Sequence, residues 1–417
     1  MAAPERRASR IVIMGLHFAP EQTGNAPYTT ALASRLKSLG HDVRVLTSHP
    51  HYPEWKVRTG YGQWFRKEII RGVPVRRFAH FVPPKPTAIM RLLSELSFGI
   101  RLLFTRWGNP DVVLLVSPAL FSTVLPVMRA RWGLRRPAVG VWVQDLYSLG
   151  VVETGTGSGI IANVVTAVES LTLRSASGVA VIHDRFKQMV VAKLGVDASD
   201  VVVIRNWSHL REAPPFDREA VRSFHGWGSD ETIVLHAGNM GAKQALENVV
   251  EAARIADQRG ANVRFVLLGD GNQRARLEVL AAGTKRVQFL ETLPDEMFQQ
   301  ALASADVLLV NEKPGVAEMS VPSKLTSYFS TGLPVLVATD EGSVTAGEIA
   351  ASGGGIRVDA GNPGQLVDAA LALGRDEALA NTLGNSGRSF REQCLSEDAA
   401  IERYAEWLTS LANGRGR

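Results

Sequence analysis

Two series of short apolar runs, each alternating with longer helix-patterned stretches, constrain what this chain can fold into. In the first half, Ile11–Leu16, Asp42–Thr47, Val112–Ser117, Val139–Val143, Gly178–Ile182 and Val201–Ile204 are strand-sized and largely apolar. Such runs suit parallel strands covered by helices on both faces. Stretches such as Tyr28–Leu39 and Leu120–Arg131 fill the gaps, and Arg66–Phe78 reads as a further strand pair. A second series starts at Thr232, with strands expected at Ile233–Ala237, Arg264–Leu268, Val287–Leu290, Val307–Val310, Pro334–Ala338 and Gly355–Val358. This alternation builds βαβ units and parallel sheets. Ser208–Phe216, with Pro214-Pro215, is the expected linker. The fold class is therefore α/β with two Rossmann-like domains, residues 1–207 and 208–396. An amphipathic helix at Glu397–Ala412 follows, with Tyr404 and Trp407 on it.

The strongest local signal is Val316–Ala338, VAEMSVPSKLTSYFSTGLPVLVA. Pro322 presets the backbone for a first helical turn. Ser323 and Thr326 are small and polar there, so the amide N–H groups of that turn stay open to a ligand. Lys324 adds a positive charge at the same end. Gly332 stops the helix, Pro334 forbids its continuation, and VLVA reads as a buried strand. The expected product is an anion cradle at the carboxyl edge of a sheet, where open α/β sheets bind ligands.

Other strand ends carry glycine-rich or polar turns. In HAGNMGAK, residues 236–243, Gly238 and Gly241 let backbone approach a phosphate, and Lys243 can reach it as a point charge. Gly269-Asp270-Gly271 ends another strand, a common and therefore weak nucleotide-edge signal. Gln288 and Phe289 lie on the strand after it. In HFAPEQTGN, residues 17–25, Gly24 and Asn25 precede the first helix. Gln144-Asp145 closes the strand Val139–Val143. Asp145 there reads either as a carboxylate that orients or deprotonates a hydroxyl, or as a helix N-cap. His49 and His51 in SHPHYPEW have no third ligand near in sequence, so an acceptor-side loop is preferred to a metal site. Tyr52 and Trp55 in the same loop offer rings to a sugar or a lipid head.

The words PSKLxxYxxxGxPV, residues 322–335, resemble the donor-binding segment of retaining, metal-independent glycosyltransferases of the group 1, family 4 type. The resemblance covers most of the chain. It is nearest the branch with the colanic-acid fucosyltransferase and the O-antigen N-acetylfucosamine transferase. It implies a GT-B fold, two facing Rossmann-like domains with the donor cleft between them and the last helix packed back on the first. It also implies transfer of a sugar from a UDP- or GDP-linked donor to an acceptor hydroxyl, anomeric configuration kept, with no cofactor and no metal. Under it the donor-binding residues are Gly24, Asn25, Gly238, Asn239, Lys243, Gly269, Asp270, Gln288, Phe289, Pro322, Ser323, Lys324 and Ser327. Lys243, Asp145 and Glu318 are the catalytic candidates, and Gln144, His49, His51, Tyr52 and Trp55 lie on the acceptor side. This sequence departs from the family at four places. Asn239 stands where arginine is usual, Gln144 where many relatives have histidine, and Met319 and Ser327 where two glutamates are expected. Glu318 beside Met319 is the carboxylate left to serve from a shifted loop.

At 417 residues and 45% apolar content the chain can build more than one core. Its charge is lopsided: residues 1–211 hold 27 Lys+Arg against 13 Asp+Glu, and the remainder 19 against 28. A basic half suits a membrane surface, a lipid diphosphate or nucleic acid, while inheritance of arginine from a GC-rich genome explains the same counts. Nucleic acid is the least favoured partner, because no recognised motif accompanies the spread-out basic residues. In 85–110, Ile89, Leu92, Leu93, Leu96, Ile100, Leu103 and Phe104 recur at helical spacing, flanked by Arg91, Arg101, Arg106 and Trp107. With Arg129, Arg131, Arg135 and Arg136 this suits a helix in a membrane interface, giving peripheral contact through 85–136. A core-facing helix with a solvated basic face has the same spacing.

Cys394 is the single cysteine, which excludes an intramolecular disulfide and a cysteine-rich zinc site. No apolar run reaches eighteen residues and no secretory signal is visible. The expected location is the cytoplasm, with the inner face of the cell membrane as the place of any peripheral contact. The acceptor is read as lipid-linked or a small molecule. Two other classes share the fold. A nucleotide-sugar epimerase would isomerise its donor without acceptor, and a non-catalytic nucleotide-sugar-binding subunit would bind it without turnover.

Overall fold

The computed structural model describes residues 8–21, 24–85, 87–117, 119–133, 136–148, 159–207, 215–315 and 323–414. The chain forms two compact units, residues 1–206 with 398–417, and residues 207–397. Each expected strand is present with bounds shifted by no more than one residue. Of the expected linker, residues 208–214 lie outside the described residues.

Among the described residues, the first unit holds an eight-stranded sheet in the order β3-β4-β2-β1-β5-β6-β7-β8. The strands are β1 Arg10–Gly15, β2 Asp42–Ser48, β3 Phe65–Ile70, β4 Val73–Phe78, β5 Val112–Ser117, β6 Ala138–Val143, β7 Gly178–Val181 and β8 Val201–Val203. β5, β6 and β7 are buried throughout, as central parallel strands must be. β3 instead alternates exposed and half-buried residues and pairs antiparallel to β4 at the edge. The second unit holds six parallel strands in the order β11-β10-β9-β12-β13-β14. They are β9 Thr232–Ala237, β10 Val263–Leu268, β11 Val287–Leu290, β12 Val307–Asn311, β13 Val335–Ala338 and β14 Gly355–Val358. In each sheet the chain winds outward on one side of its first strand and then returns to build the other side. The reversals fall between β1 and β5 and between β9 and β12, and open α/β sheets bind ligands beyond the carboxyl ends at such points.

Two helices of the first unit show how small residues select the packing. α1 (Ala88–Phe104) turns Ser94, Glu95, Phe98, Gly99 and Leu102 inward. Gly99 makes that choice, because a Cβ there would lie 2.9 Å from Ser122 Cα on α2 (Leu120–Trp132). The apolar stripe Ile89, Leu93, Ile100 and Phe104 is left at the surface. Leu92, Leu96 and Leu103, which share the same spacing, are half-buried. At the chain's end, α3 (Glu397–Asn413) lays Trp407 across glycines of two strands. Cβ atoms on Gly140 and Gly178 would lie 2.8 and 3.2 Å from its ring. Tyr404 packs at a tilt against Trp142, with ring centres 4.8 Å apart. Among the described residues no helix is long and apolar enough to cross a membrane.

Candidate active site

In the second unit the loops leaving β9 and β10 are zipped to each other. Gly238 N donates to Leu268 O at 2.8 Å, Met240 N to Asp270 O at 2.8 Å, and Gln273 N to Met240 O at 3.0 Å. The approach requires glycine. A Cβ on Gly269 would lie 2.3 Å from Gly238 O, and Gly269 has φ +130°, outside the range of ordinary L residues. Gly238, Asn239, Gly269 and Asp270 are thus brought together. Asn239 and Asp270 are exposed at the tips, and Asp270 Oδ1 accepts from Gly271 N at 2.7 Å.

The helix Ser323–Thr331 is fastened to the same edge by two side chains. The buried Tyr328 hydroxyl accepts from Ala237 N at 2.9 Å. Lys324 Nζ donates to His236 Nε2 at 3.0 Å, and His236 Nδ1 donates to Leu309 O at 3.3 Å. Burial, and then the neighbouring Lys324 charge, push the His236 pKa well below its ordinary value. The imidazole is therefore neutral and offers Nε2 as an acceptor. This bond holds the ammonium stem beside Gly238, where a Cβ would lie 3.1 Å from Lys324 Cε. Lys243 stands on the short turn Ala242–Gln244, exposed and without an ion pair to any described residue. Asn311 pins that turn by donating to Gln244 O at 2.7 Å and Ala245 O at 3.1 Å.

Other expected donor residues are placed differently. Gln288 accepts from Trp227 Nε1 at 2.9 Å and donates to His225 O at 3.0 Å, so its amide is engaged within the fold. Phe289 packs against the core cluster beneath the other face of the sheet. Neither side chain joins the glycine turns; alternation along β11 sends them to opposite faces. Ser327 is half-buried on the helix that Ser323 opens. Glu318, Met319 and Pro322 lie outside the described residues.

In the first unit Glu21 gathers the loops after β1 and β2. Its Oε2 accepts from His17 Nδ1 at 2.8 Å, and its Oε1 from the backbone N–H of His51 at 2.8 Å and Tyr52 at 2.9 Å. Burial alone would raise its pKa, but these bonds outweigh burial and the carboxyl stays below its ordinary value. Buried Arg77 ties the same loops from β4, donating to Ser48 O at 2.8 Å and also to Ala19 O and Glu68. A wall of rings results. His17 lies 5.4 Å from His51 and 5.0 Å from Tyr52, and His51 lies 5.8 Å from Trp55 and 4.9 Å from His80. Arg91 sits 5.4 Å over Trp55. Gly24, at φ +64°, lies beside Tyr52, and Asn25 Nδ2 reaches Ser117 O at 3.5 Å. His49 does not join them. Its Nε2 bonds Gln63 O at 2.7 Å, and burial lowers its pKa.

At the end of β6, Gln144 Oε1 accepts from Asn206 Nδ2 at 2.7 Å. Asp145 Oδ1 accepts from Leu146 N at 2.8 Å. The next amides, Tyr147 and Ser148, donate to Glu169 at 2.8 and 3.0 Å. Glu95 on α1 accepts from the Tyr147 hydroxyl and from Phe121 N at 3.0 Å. Burial nevertheless lifts its pKa to about 7. No group of three or more His, Cys, Asp or Glu among the described residues is placed to hold a metal ion.

Sequence reasoning gave no role to His17, His80, Glu95, Tyr147 or His236. His236 alone left a local trace, a histidine inside an apolar strand directly before a glycine turn. The two edges offer different chemistry. That of the second unit presents a fixed ammonium, an exposed lysine and close-packed glycine backbone to an anion. That of the first presents rings, an imidazole and carboxylates to a hydroxylated ligand.

Similar proteins agree with this division. Residues 23–207 match the glycosyl transferase 4-like domain family, and residues 231–376 match glycosyl transferases group 1. The glycosyl transferase of Escherichia coli (strain K12) named for colanic acid biosynthesis, WcaI, is 31% identical over 95% of this chain and 98% of its own. Among solved structures, sucrose-phosphate synthase of Thermosynechococcus elongatus superposes with TM-score 0.70 at 18% identity, covering 97% of this chain and 99% of that one. Anabaena HepE in complex with UDP gives 0.69 at 16% identity, covering 96% and 100%. With two parallel-sheet units, the matched domains and a full-length relative above 30% identity, the chain belongs to the group 1 glycosyltransferases of GT-B fold.

Proposed function

We propose that the protein is a retaining, metal-independent transferase acting in cell-envelope polysaccharide or glycolipid synthesis. It moves a sugar from a UDP- or GDP-linked donor to a hydroxyl of an acceptor that is lipid-linked. The observation that carries this reading is the ammonium of Lys324, fixed by neutral His236 beside the zipped turns Gly238–Gly241 and Gly269–Gly271. In the reaction the bond from the anomeric carbon to the diphosphate breaks. The acceptor oxygen bonds that carbon on the same face, and its proton passes to the departing diphosphate. Lys324 and Lys243 meet the charge growing on that diphosphate. Asp145 and the His17–Glu21 pair orient the acceptor hydroxyl.

The colanic-acid naming of the Escherichia coli relative supports an envelope acceptor, and the UDP bound by Anabaena HepE supports a nucleotide donor. The exposed stripe of α1, with the basic residues along 85–136, supports peripheral contact with an anionic membrane, where such an acceptor lies. The test is Lys243→Ala, assayed for transfer from UDP- and GDP-sugars. The expected loss is on the order of a hundredfold in turnover, as for removal of one donor to a developing oxyanion. Its melting should be unchanged, because the residue is exposed and unpaired among the described residues. Near wild-type turnover would refute the role.

A further inference from the structure

Lys243 is exposed, yet the turn that carries it is held by a buried side chain. The other strands of the second sheet end in Ala237, Leu268, Leu290, Ala338 and Val358. β12 ends instead in Asn311, which is 1% exposed. A carboxamide in such a place must find its partners, because a buried polar group left unpaired is costly. Asn311 finds them around the lysine turn. Its Nδ2 donates to Gln244 O and Ala245 O, and its Oδ1 accepts from Asn248 Nδ2 at 2.8 Å, on the helix Glu247–Gln258. Two carbonyls on one side fix the orientation of the amide, since only its NH2 group can face them.

The turn is not relaxed. Ala245 has φ +42° and ψ +50°, a left-handed conformation that a residue with a Cβ adopts at a cost. Asn311 Nδ2 and Asn248 N both donate to its carbonyl, the latter at 3.1 Å. Lys243 O accepts at 2.8 Å from the backbone N–H of Lys313, two residues past the end of β12. Gln244 Oε1 accepts from Gly241 N at 3.1 Å and closes the turn on itself. The backbone at Lys243 and just after it is therefore fixed to the end of β12. Fixing the backbone beneath a long cation removes freedom that anion binding would otherwise have to remove.

We infer that Asn311, braced by Asn248, is a positioning residue for the donor: it holds the strained turn in the shape that brings the Lys243 ammonium to the diphosphate. This role rests on the proposed role of Lys243, and the test separates the two. Calorimetric titration with UDP and with GDP in EDTA is run on wild type, N311A, N248A, K243A and the doubles N311A/K243A and N248A/K243A. N311A should lose about tenfold in affinity for the nucleotide that wild type binds, and N248A less. In the K243A background neither substitution should cost more than about twofold further, because the lysine it serves is gone. A general defect of the sheet edge would weaken binding equally with and without the lysine. N248A, at a half-buried helix position, carries the same comparison where N311A melts too low to titrate. Wild-type affinity in these single variants, or a loss that persists in full in the K243A background, overturns the assignment. K243A that binds like wild type, or a wild type that binds neither nucleotide, refutes the role of Lys243 and this one with it.

Discussion

Replacing Gly269 by alanine tests whether the two glycine turns must touch. The added Cβ would meet Gly238 O at 2.3 Å, Gly238 C at 3.0 Å and Gly238 Cα at 3.2 Å, all backbone atoms that cannot swing aside. The residue also sits at φ +130°, a strained region that costs alanine about 1–3 kcal/mol. Relief requires the turns to part, which breaks the bonds between Gly238 and Leu268 and between Met240 and Asp270. Each contributes about 1 kcal/mol. The total is about 3–5 kcal/mol. In a unit of this size that corresponds to a fall in melting temperature on the order of 10 °C. Differential scanning calorimetry reads the fall, and repeating the scan with UDP and GDP reads the site. The parted turns should abolish nucleotide stabilisation as well. A G269A protein that melts and responds to nucleotide like wild type would refute the argument that this backbone approach builds the site.

Two further outcomes follow from buried groups of the first unit. Glu95 is shifted from an ordinary 4.5 to about 7, chiefly by burial. Its unfolded form therefore ionises first as pH rises, and stability should drop by up to about 3 kcal/mol between about pH 4.5 and pH 7. In E95Q that slope should flatten when melting is compared at pH 5 and pH 8; an unchanged slope would show that Glu95 is not the source. Trp407→Ala removes the ring that fills the groove over Gly140 and Gly178 and should cost about 3–5 kcal/mol. A denaturation midpoint like that of wild type would contradict the packing of α3 on this sheet.

The sheets were legible because each strand is a short apolar run set between turn residues, a pattern that survives without tertiary context. The motif from Lys324 to Pro334 was legible for the same reason, since proline, glycine and a buried strand mark its bounds locally. The facing of α1 was not. Spacing alone suits a core face or a surface face, and the choice falls to the close approach of α2 at Gly99. The setting of the Gln288 side chain was not legible either, because its amide is engaged by Trp227, a residue 61 positions away. The cluster of His17, Glu21, His51, His80 and Glu95 comes from separate loops and a helix. Only the folded sheet brings those residues to one edge, so no local pattern announces the cluster, although His51 stands out on its own loop.

The central claim is that a nucleoside diphosphate binds at the edge formed by Gly238, Gly269 and Lys324 without help from metal. Calorimetric titration of the protein with UDP and with GDP in the presence of EDTA tests it most directly, with Lys324→Met alongside. The account predicts that one of the two nucleotides binds wild type in EDTA and that K324M loses most of that affinity, because the ammonium beside Gly238 is gone. Binding of neither nucleotide, binding that needs a divalent cation, or full affinity in K324M would contradict it.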